Sequence, residues 1–371
     1  MKRILPLLTA GLLVLGLAGC GKDSESQAGT ESAESGFKPV TWKMVTTWPK
    51  NFPGLGTVPE QFAKDVEVMS GGRLKIKVYG AGEMVPALQT FDTVKSGAAQ
   101  IGHGAAYYWK GKVPAAQIFT ALPFGMNAQE INSWFYYGGG LELWQQAYQP
   151  FGLIPLPGGN TGVQMAGWFR KEINSVEDFN GLKMRIPGLA GEVITELGAI
   201  PVSLPGGEIF SSMQSGAIDA TDWVGPYNDQ AFGLYKVAPY YYVTGWQEAG
   251  AAMEFIINEA AFNGLPEDLQ RIVEVAAEKT NANMLALYTS ENNKALQSLI
   301  NEHGVQIKQF PPEVVSALQT ASKKVIAEMV ASDPQTAKIY QSYKTFLSRV
   351  TQYHELTELN YYQNRQGVEL P

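Results

Sequence analysis

Cysteine is nearly absent: Cys20 is the only one in 371 residues. A lone thiol excludes an internal disulfide framework, so stability must come from a buried core. Histidine is scarce too, with only His103, His303 and His354. The last two lie in polar, helical-looking sequence; His103 alone lies in a glycine-rich stretch. No Gly-x-Ser-x-Gly elbow, His-Glu-x-x-His pair or Gly-x-x-x-x-Gly-Lys-Ser/Thr loop occurs. An enzyme would need its nucleophile, metal pair or phosphate cradle from elsewhere, and nothing in the sequence offers one. Basic clusters are missing as well. Lys and Arg number 28 against 35 Asp and Glu, a net charge of −7. Nucleic acid is an unsuitable partner for such a chain. An anion would have to be held locally, by one or two placed cations. Beyond residue 20 no apolar run is long enough to cross a bilayer.

The chain opens with Lys2 and Arg3, followed by an apolar stretch from Leu5 to Leu17. That stretch is too short for a stable transmembrane helix and reads as an export signal. It ends in Leu17-Ala18-Gly19-Cys20, which resembles the bacterial lipoprotein signal. Small residues suit the cleavage, and the Cys20 thiol is the group that would accept the lipid. Residues 1–19 are therefore expected to be a signal peptide. Residues 20–36 carry Ser, Gly, Glu and Ala without a large apolar side chain, which predicts a disordered tether. The folded body is expected from about Phe37, held at the periplasmic or cell surface with only the lipid in the membrane.

Strand and helix patterns alternate in the body, which places it in the α/β class. Val40–Val45 has strand composition, and Val58–Met69 has helical spacing closed by Gly71-Gly72. Arg73–Tyr79 alternates as a half-exposed strand, Pro86–Ser96 returns to helix, and Gln100–Ala106 reads as a short buried strand. An internal echo appears. Val94-Lys-Ser-Gly-Ala98 and Met213-Gln-Ser-Gly-Ala217 each close a helix before a short strand that runs into aromatic residues. A real echo means two similar lobes aiming strand ends at one cleft. Chance gives the same helix-Gly-strand pattern often enough to leave both readings open. From Pro266 to Glu302, and again from Pro312 to about Tyr362, the pattern is helical, with a break near Ser332-Asp333-Pro334. Tyr340, Tyr343, Phe346, Tyr353, Tyr361 and Tyr362 decorate the last helix, which predicts packing across lobes or on a second copy of the chain.

Four polar positions stand out in the Gly- and Pro-rich middle: Gln164, Arg185, Asp222 with Trp223, and Glu248. Arg185 sits between Met184 and Ile186-Pro187, in an apolar strand. Taken alone, such an arginine is more often a structural ion pair than a ligand clamp. Their surroundings change the balance. Ser96-Gly97-Ala98, Tyr107-Tyr108-Trp109-Lys110-Gly111-Lys112, Pro123-Phe124-Gly125, Phe179-Asn-Gly-Leu-Lys-Met-Arg-Ile-Pro-Gly188 and Asp222-Trp223-Val-Gly-Pro226 resemble the solute receptors of tripartite ATP-independent periplasmic (TRAP) transporters. The similarity runs over nearly the whole mature chain. Tyr240-Tyr241-Tyr242 and Trp246-Gln-Glu248 are similar to the subgroup that receives 2-oxo acids and lactate.

The resemblance implies a two-lobed periplasmic-binding-protein (Venus flytrap) fold with a hinge and a long C-terminal helix. Residues 37–160 would form mainly the first lobe and 161–257 mainly the second. Residues 258–371 would be a helical region completing the first lobe and the hinge. It implies that Arg185 clamps the ligand carboxylate, and that Gln164, the Trp223 carbonyl and Glu248 hold a metal ion. Tyr107 would contact the ligand, with Asn160 and Asp222 as further contacts and Asp222 as a further metal ligand. Gln247 departs from the aromatic that is equally familiar at that place, and leaves the exact acid open. The implied partners are a small organic acid, the transporter's membrane subunits and a second copy of the chain through the C-terminal helix.

The chemistry is coherent. A guanidinium matches a carboxylate through two parallel hydrogen bonds. A 2-oxo or 2-hydroxy oxygen beside that carboxylate can join it on a hard cation held by oxygens. Without Asp222, the charges of Arg185, Glu248 and the ligand are balanced by Na⁺, the favoured ion; with Asp222 as a ligand, balance calls for Ca²⁺. Competing readings are an ABC-type receptor, a metal-assisted enzyme acting on keto acids and a ligand-sensing lipoprotein. The motifs oppose the first and the missing general base opposes the second. Neighbouring genes for multi-span membrane proteins would separate transport from sensing.

Overall fold

The computed structural model describes residues 38–368. The signal segment, Cys20, the tether and Phe37 lie outside the described residues. The strands are β1 (Val40–Thr46), β2 (Leu74–Tyr79), β3 (Ile101–Gly104), β4 (Leu153–Asn160), β5 (Gly167–Phe169), β6 (Lys183–Arg185), β7 (Ile200–Val202), β8 (Ala220–Thr221), β9 (Tyr240–Val243), β10 (Ala252–Asn258) and β11 (Gln306–Gln309).

They form two mixed sheets, one in each lobe. The first has the order β2-β1-β3-β10-β4 and the second β11-β9-β5-β8-β6-β7. In the first, β2, β1 and β3 run parallel, and β10 pairs antiparallel with both β3 and β4. In the second, β7, β6 and β8 run parallel, and β5 pairs antiparallel with both β8 and β9. The two sheets therefore share one wiring, with β11 added at the far edge of the second. The sequence echo is its signature. A helix ends at Lys95 before Gly97 and β3, and another ends at Ser215 before Gly216 and β8. Both glycines hold φ +77, a left-handed turn that side-chain-bearing residues seldom adopt.

β3 and Ala105–Tyr107 after it are buried throughout, as a central strand requires. The edge strand β2 instead alternates buried Leu74 with exposed lysines. The chain crosses to the second sheet after β4 and returns before β10. A third crossing is the 35-residue helix Glu267–Asn301, roughly 50 Å long at the usual rise. It packs on β4 and the helix Thr57–Met69 of the first lobe, and on the helix Pro226–Phe232 of the second. Leu269, Val273, Ala276, Thr280, Met284 and Tyr288 form its buried stripe.

The tail serves both lobes. β11 extends the second sheet, and the helix Pro312–Ser332 packs on the helix Gly188–Glu196. Asp333 then accepts from the Thr336 N–H at 2.7 Å and starts the helix Pro334–His354, which packs on helices of the first lobe. Its aromatics divide. Tyr343 is buried, and its hydroxyl accepts from the Met126 N–H at 2.7 Å. Tyr340 and Phe346 lean on the same core, so these three serve this chain's own fold. Tyr353, Tyr361 and Tyr362 are exposed, as are Leu356 and Leu359.

Candidate functional site

Arg185 ends β6 between the buried Met184 and Ile186, and is itself buried. A guanidinium has five N–H groups. Nε donates to the Leu204 carbonyl at 3.2 Å, Nη1 to the Asp222 carbonyl at 2.9 Å and Nη2 to the Tyr108 hydroxyl at 3.3 Å. One N–H remains on each terminal nitrogen. That spacing fits the two oxygens of a carboxylate. The Arg185 side chain also lies over the Trp223 ring, 5.3 Å from its centroid.

β8 runs directly into Asp222 and Trp223 at the carboxyl end of the neighbouring strand. Asp222 is fully buried. Its Oδ1 accepts from Gln247 Nε2 at 2.9 Å, and its Oδ2 has no hydrogen-bond partner, standing 3.6 Å from Arg185 Nη1. Burial pushes this carboxyl up to about 7, although Arg185 and the Gln247 hydrogen bond pull it down.

Gln164 and Glu248 come from the two crossing segments. Gln164 Nε2 donates to Glu248 Oε2 at 2.8 Å and to Thr161 Oγ1 at 3.2 Å, while the Gln164 N–H donates to the Glu248 carbonyl at 3.1 Å. The segments approach so closely that a Cβ on Gly245 would stand 2.2 Å from the Gln164 carbonyl oxygen. Thr244 and Phe124 both hold left-handed backbone, at φ 59 and 55. The Phe124 N–H donates to the Trp246 carbonyl at 2.7 Å, so strained residues support the Trp246–Glu248 segment. Burial raises the Glu248 carboxyl well above its usual range, the Asp222 charge adds to this, and Arg185 opposes it.

The first lobe supplies the other wall. Tyr107 and Tyr108 follow β3, and the Tyr107 ring lies over Gly188, where a Cβ would meet it at 3.3 Å. Burial and the neighbouring Glu248 raise the Tyr107 hydroxyl well above its usual value, so it stays protonated. Lys110 Nζ donates to the Gly188 carbonyl at 3.0 Å and to Glu192 at 2.7 Å. Trp48, after β1, packs edge-on against Trp223 with ring centroids 6.2 Å apart. Asn160, at the end of β4, donates to the Gly250 carbonyl at 3.2 Å and accepts from the Gly162 N–H at 2.9 Å. Its amide holds the crossing and keeps one N–H in reserve.

The structure thus brings together Arg185, Asp222, Trp223, Gln164, Glu248 and Tyr107, with Asn160 at the neighbouring crossover. Sequence reasoning missed Tyr108 as a partner of Arg185 and Gln247 as a partner of Asp222. Each stands next to a residue read as a site residue; for Tyr108 adjacency was the only signal, while Gln247 stood out only as a departure from the family pattern. His103 proves structural. It is buried, accepts from Trp48 Nε1 on Nδ1 at 2.9 Å and donates from Nε2 to the Gly158 carbonyl at 3.1 Å. Burial lowers it to about 4, so the ring is neutral.

The donor set is one of oxygens. Among the described residues no three His, Cys, Asp or Glu side chains gather as metal ligands. A cation here would rest on two carboxylates, an amide and main-chain carbonyls. Gln164 Oε1, Asp222 Oδ2 and Gln247 Oε1 are buried without a hydrogen-bond partner. Unpaired buried acceptors beside two carboxylates and one guanidinium fit a hard cation.

Two lobes with matched sheets, bringing strand ends, a guanidinium and orphaned oxygens together, define a solute receptor of the two-lobed kind. The chain belongs to the bacterial extracellular solute-binding protein family 7 (DctP), whose profile matches residues 44–333. It is a binding protein and not an enzyme. It is 42% identical over 338 residues to a monocarboxylate 2-oxoacid-binding periplasmic protein of Nostoc sp., covering 91% of this chain and 92% of that one. A TRAP periplasmic solute-binding protein from Pseudoalteromonas atlantica, solved with bound sodium and pyruvate, is 45% identical with a TM-score of 0.86, covering 90% of this chain and all (100%) of that one. One from Colwellia psychrerythraea, solved with calcium and pyruvate, is also 45% identical with a TM-score of 0.86, covering 88% and 100%.

Proposed function

We propose that this protein is the extracytoplasmic receptor of a TRAP transporter, taking a 2-oxo acid such as pyruvate, or lactate, to the membrane subunits. The observation that carries this is the pair of Arg185 N–H groups left without a protein acceptor, beside unpartnered oxygens of Gln164 and Asp222. Arg185 binds and orients the carboxylate. Tyr107 and Tyr108 close over it from the first lobe, Trp48 and Trp223 exclude water, and the reserve N–H of Asn160 is available to the ligand. The likeness to the pyruvate-bound relatives supports the same reading.

Gln164, the Trp223 carbonyl, Glu248 and Asp222 would hold the cation. When bound, the ion supplies a positive charge for the ligand's 2-oxo or 2-hydroxy oxygen. Asp222 lies inside the cluster, so the charge count is Arg185 plus one, and Asp222, Glu248 and the ligand minus three. A divalent ion cancels the remainder, whereas Na⁺ leaves one negative charge unless a carboxyl keeps its proton. We assign Ca²⁺ as the tighter ion and Na⁺ as the weaker. Native mass spectrometry of the purified protein tests the whole reading: a mass increment of a small monocarboxylate plus Ca²⁺ or Na⁺ supports it, and a metal-free ligand or a nucleotide sinks it.

We infer a lipid anchor from the Cys20 signal, and Cys20→Ser should release the protein from membranes. We also propose a homodimer in which the C-terminal helix packs on the second copy, a reading supported by the exposed Tyr353, Leu356, Leu359, Tyr361 and Tyr362 at its end.

A further inference from the structure

Asp229 lies in the first turn of the helix Pro226–Phe232 and is buried. It takes four hydrogen bonds. Oδ1 accepts from the main-chain N–H of Val224 at 3.2 Å and of Gly225 at 3.1 Å. Oδ2 accepts from Trp168 Nε1 at 2.9 Å and from the Tyr241 hydroxyl at 2.7 Å. Its own N–H returns to the Gly225 carbonyl at 2.9 Å. Trp168 and Tyr241 are neighbours on β5 and β9, stacked with centroids 4.0 Å apart. One carboxylate therefore pins the loop after β8 to the middle of the second sheet.

The pinned group matters because of what lies across it. The Val224 N–H and the Trp223 carbonyl belong to one peptide unit, which is planar and trans. Turning the N–H towards Asp229 turns the Trp223 oxygen away from it. Among the described residues no hydrogen-bond donor reaches that oxygen. The next main-chain oxygen, on Val224, is taken by the Met165 N–H at 3.1 Å, which fixes the loop from its other side. Asp229 itself has both oxygens occupied by protein donors.

We propose that Asp229 is a positioning residue for the cation, holding the Trp223–Val224 peptide so that the Trp223 carbonyl oxygen stays presented as a ligand. The inference rests on the reading of Trp223 as a cation ligand. It separates two kinds of damage. Loss of Asp229 loosens the cation's carbonyl ligand and leaves the Arg185 clamp intact. Loss of Trp168 removes one donor to the same carboxylate and weakens the sheet, but leaves the Val224 N–H held.

The test is calorimetric titration of Ca²⁺ into ligand-free protein, and of pyruvate at saturating Ca²⁺, for wild type, Asp229→Ala, Asp229→Asn and Trp168→Phe, with each melting temperature. Asp229→Ala should raise the Ca²⁺ dissociation constant by about ten-fold or more, as supporting groups around metal ligands commonly do. Its pyruvate affinity at saturating Ca²⁺ should stay within about three-fold of wild type. Trp168→Phe should lower the melting temperature and change Ca²⁺ affinity by less than about three-fold. If Asp229→Ala does not fold, Asp229→Asn carries the measurement, with a loss of at least about three-fold expected. Unchanged Ca²⁺ affinity in the Asp229 variants overturns the proposal. So does a loss of Ca²⁺ affinity that follows the melting temperature equally in the Asp229 and Trp168 variants. A wild type that binds pyruvate without any cation overturns the Trp223 assignment itself, a different outcome.

Discussion

Arg185 Nη1 donates to the main-chain oxygen of Asp222 at 2.9 Å, while the Asp222 carboxylate, 3.6 Å away, is not hydrogen-bonded to it. The guanidinium is fixed by carbonyls and a hydroxyl rather than by the acid beside it. Its charge and two of its N–H groups remain for a ligand. Arg185→Lys keeps the charge and loses the fork, so pyruvate affinity should fall while the fold persists. Arg185→Ala should lose about thirty-fold or more, since truncating a buried hydrogen-bonded charge costs about 2–5 kcal/mol. Isothermal titration beside a melting curve checks both.

Asp222→Asn removes one negative charge without changing shape. The count for Arg185, Glu248 and ligand then closes with Na⁺. The preference for Ca²⁺ over Na⁺, measured as the ratio of the concentrations that half-restore pyruvate binding, should drop by about ten-fold or more. An unchanged ratio would show that Asp222 does not sense the ion.

Glu254, on β10, is buried and far from solvent. Trp109 Nε1 and the Tyr148 hydroxyl both donate to its Oε1, and its Oε2 has no partner. Burial pushes it from 4.5 up to about 8. Between those values the folded protein holds a proton that the unfolded chain has released. Stability from this group is thus full below about pH 4.5 and falls as pH rises towards 8, by at most about 1.4 kcal/mol per unit. Asp222 and Asp229, raised to about 7 and about 6, act in the same direction. His103, lowered to about 4, acts oppositely below its ordinary 6.5. Urea unfolding of wild type and Glu254→Gln at several pH values isolates the Glu254 share. The variant should lose part of the downward slope between pH 6 and 8, and parallel profiles would contradict the assignment.

The proposed dimer is tested at the tail. Leu356→Glu with Tyr361→Glu places charge on the exposed end of the C-terminal helix and touches none of the buried Tyr343 packing. Sedimentation at micromolar concentration should show wild type as a dimer and the variant as a monomer with an unchanged melting temperature. A monomeric wild type rules the dimer out.

Much of the fold was legible in local pattern. Ser-Gly-Ala after two helices marked turns that need a left-handed glycine, and those turns place β3 and β8 alike in two sheets with one wiring. Arg185 was visible because a charge inside a short apolar strand needs a reason. Other features were hidden because they are made by tertiary closure. Tyr108 reaches Arg185 across 77 positions and Gln247 reaches Asp222 across 25, and no spacing rule connects them. Asp229 carries no signal in the local pattern; only the sheet behind it, through Trp168 and Tyr241, shows why it is buried. Tyr343 was not separable from the other tail aromatics, because the helix pattern alone does not say which face meets Met126.

The central claim is that carboxylate clamp and cation act together, and calorimetric titration of pyruvate tests it most directly. The titration is run with chelator and a bulky organic cation, with Na⁺, and with Ca²⁺, on wild type and Glu248→Gln. Wild type should bind tightly with Ca²⁺, more weakly with Na⁺ and at least about thirty-fold more weakly with neither, and Glu248→Gln should lose affinity and cation dependence together. Equal pyruvate affinity in all three conditions would contradict the account.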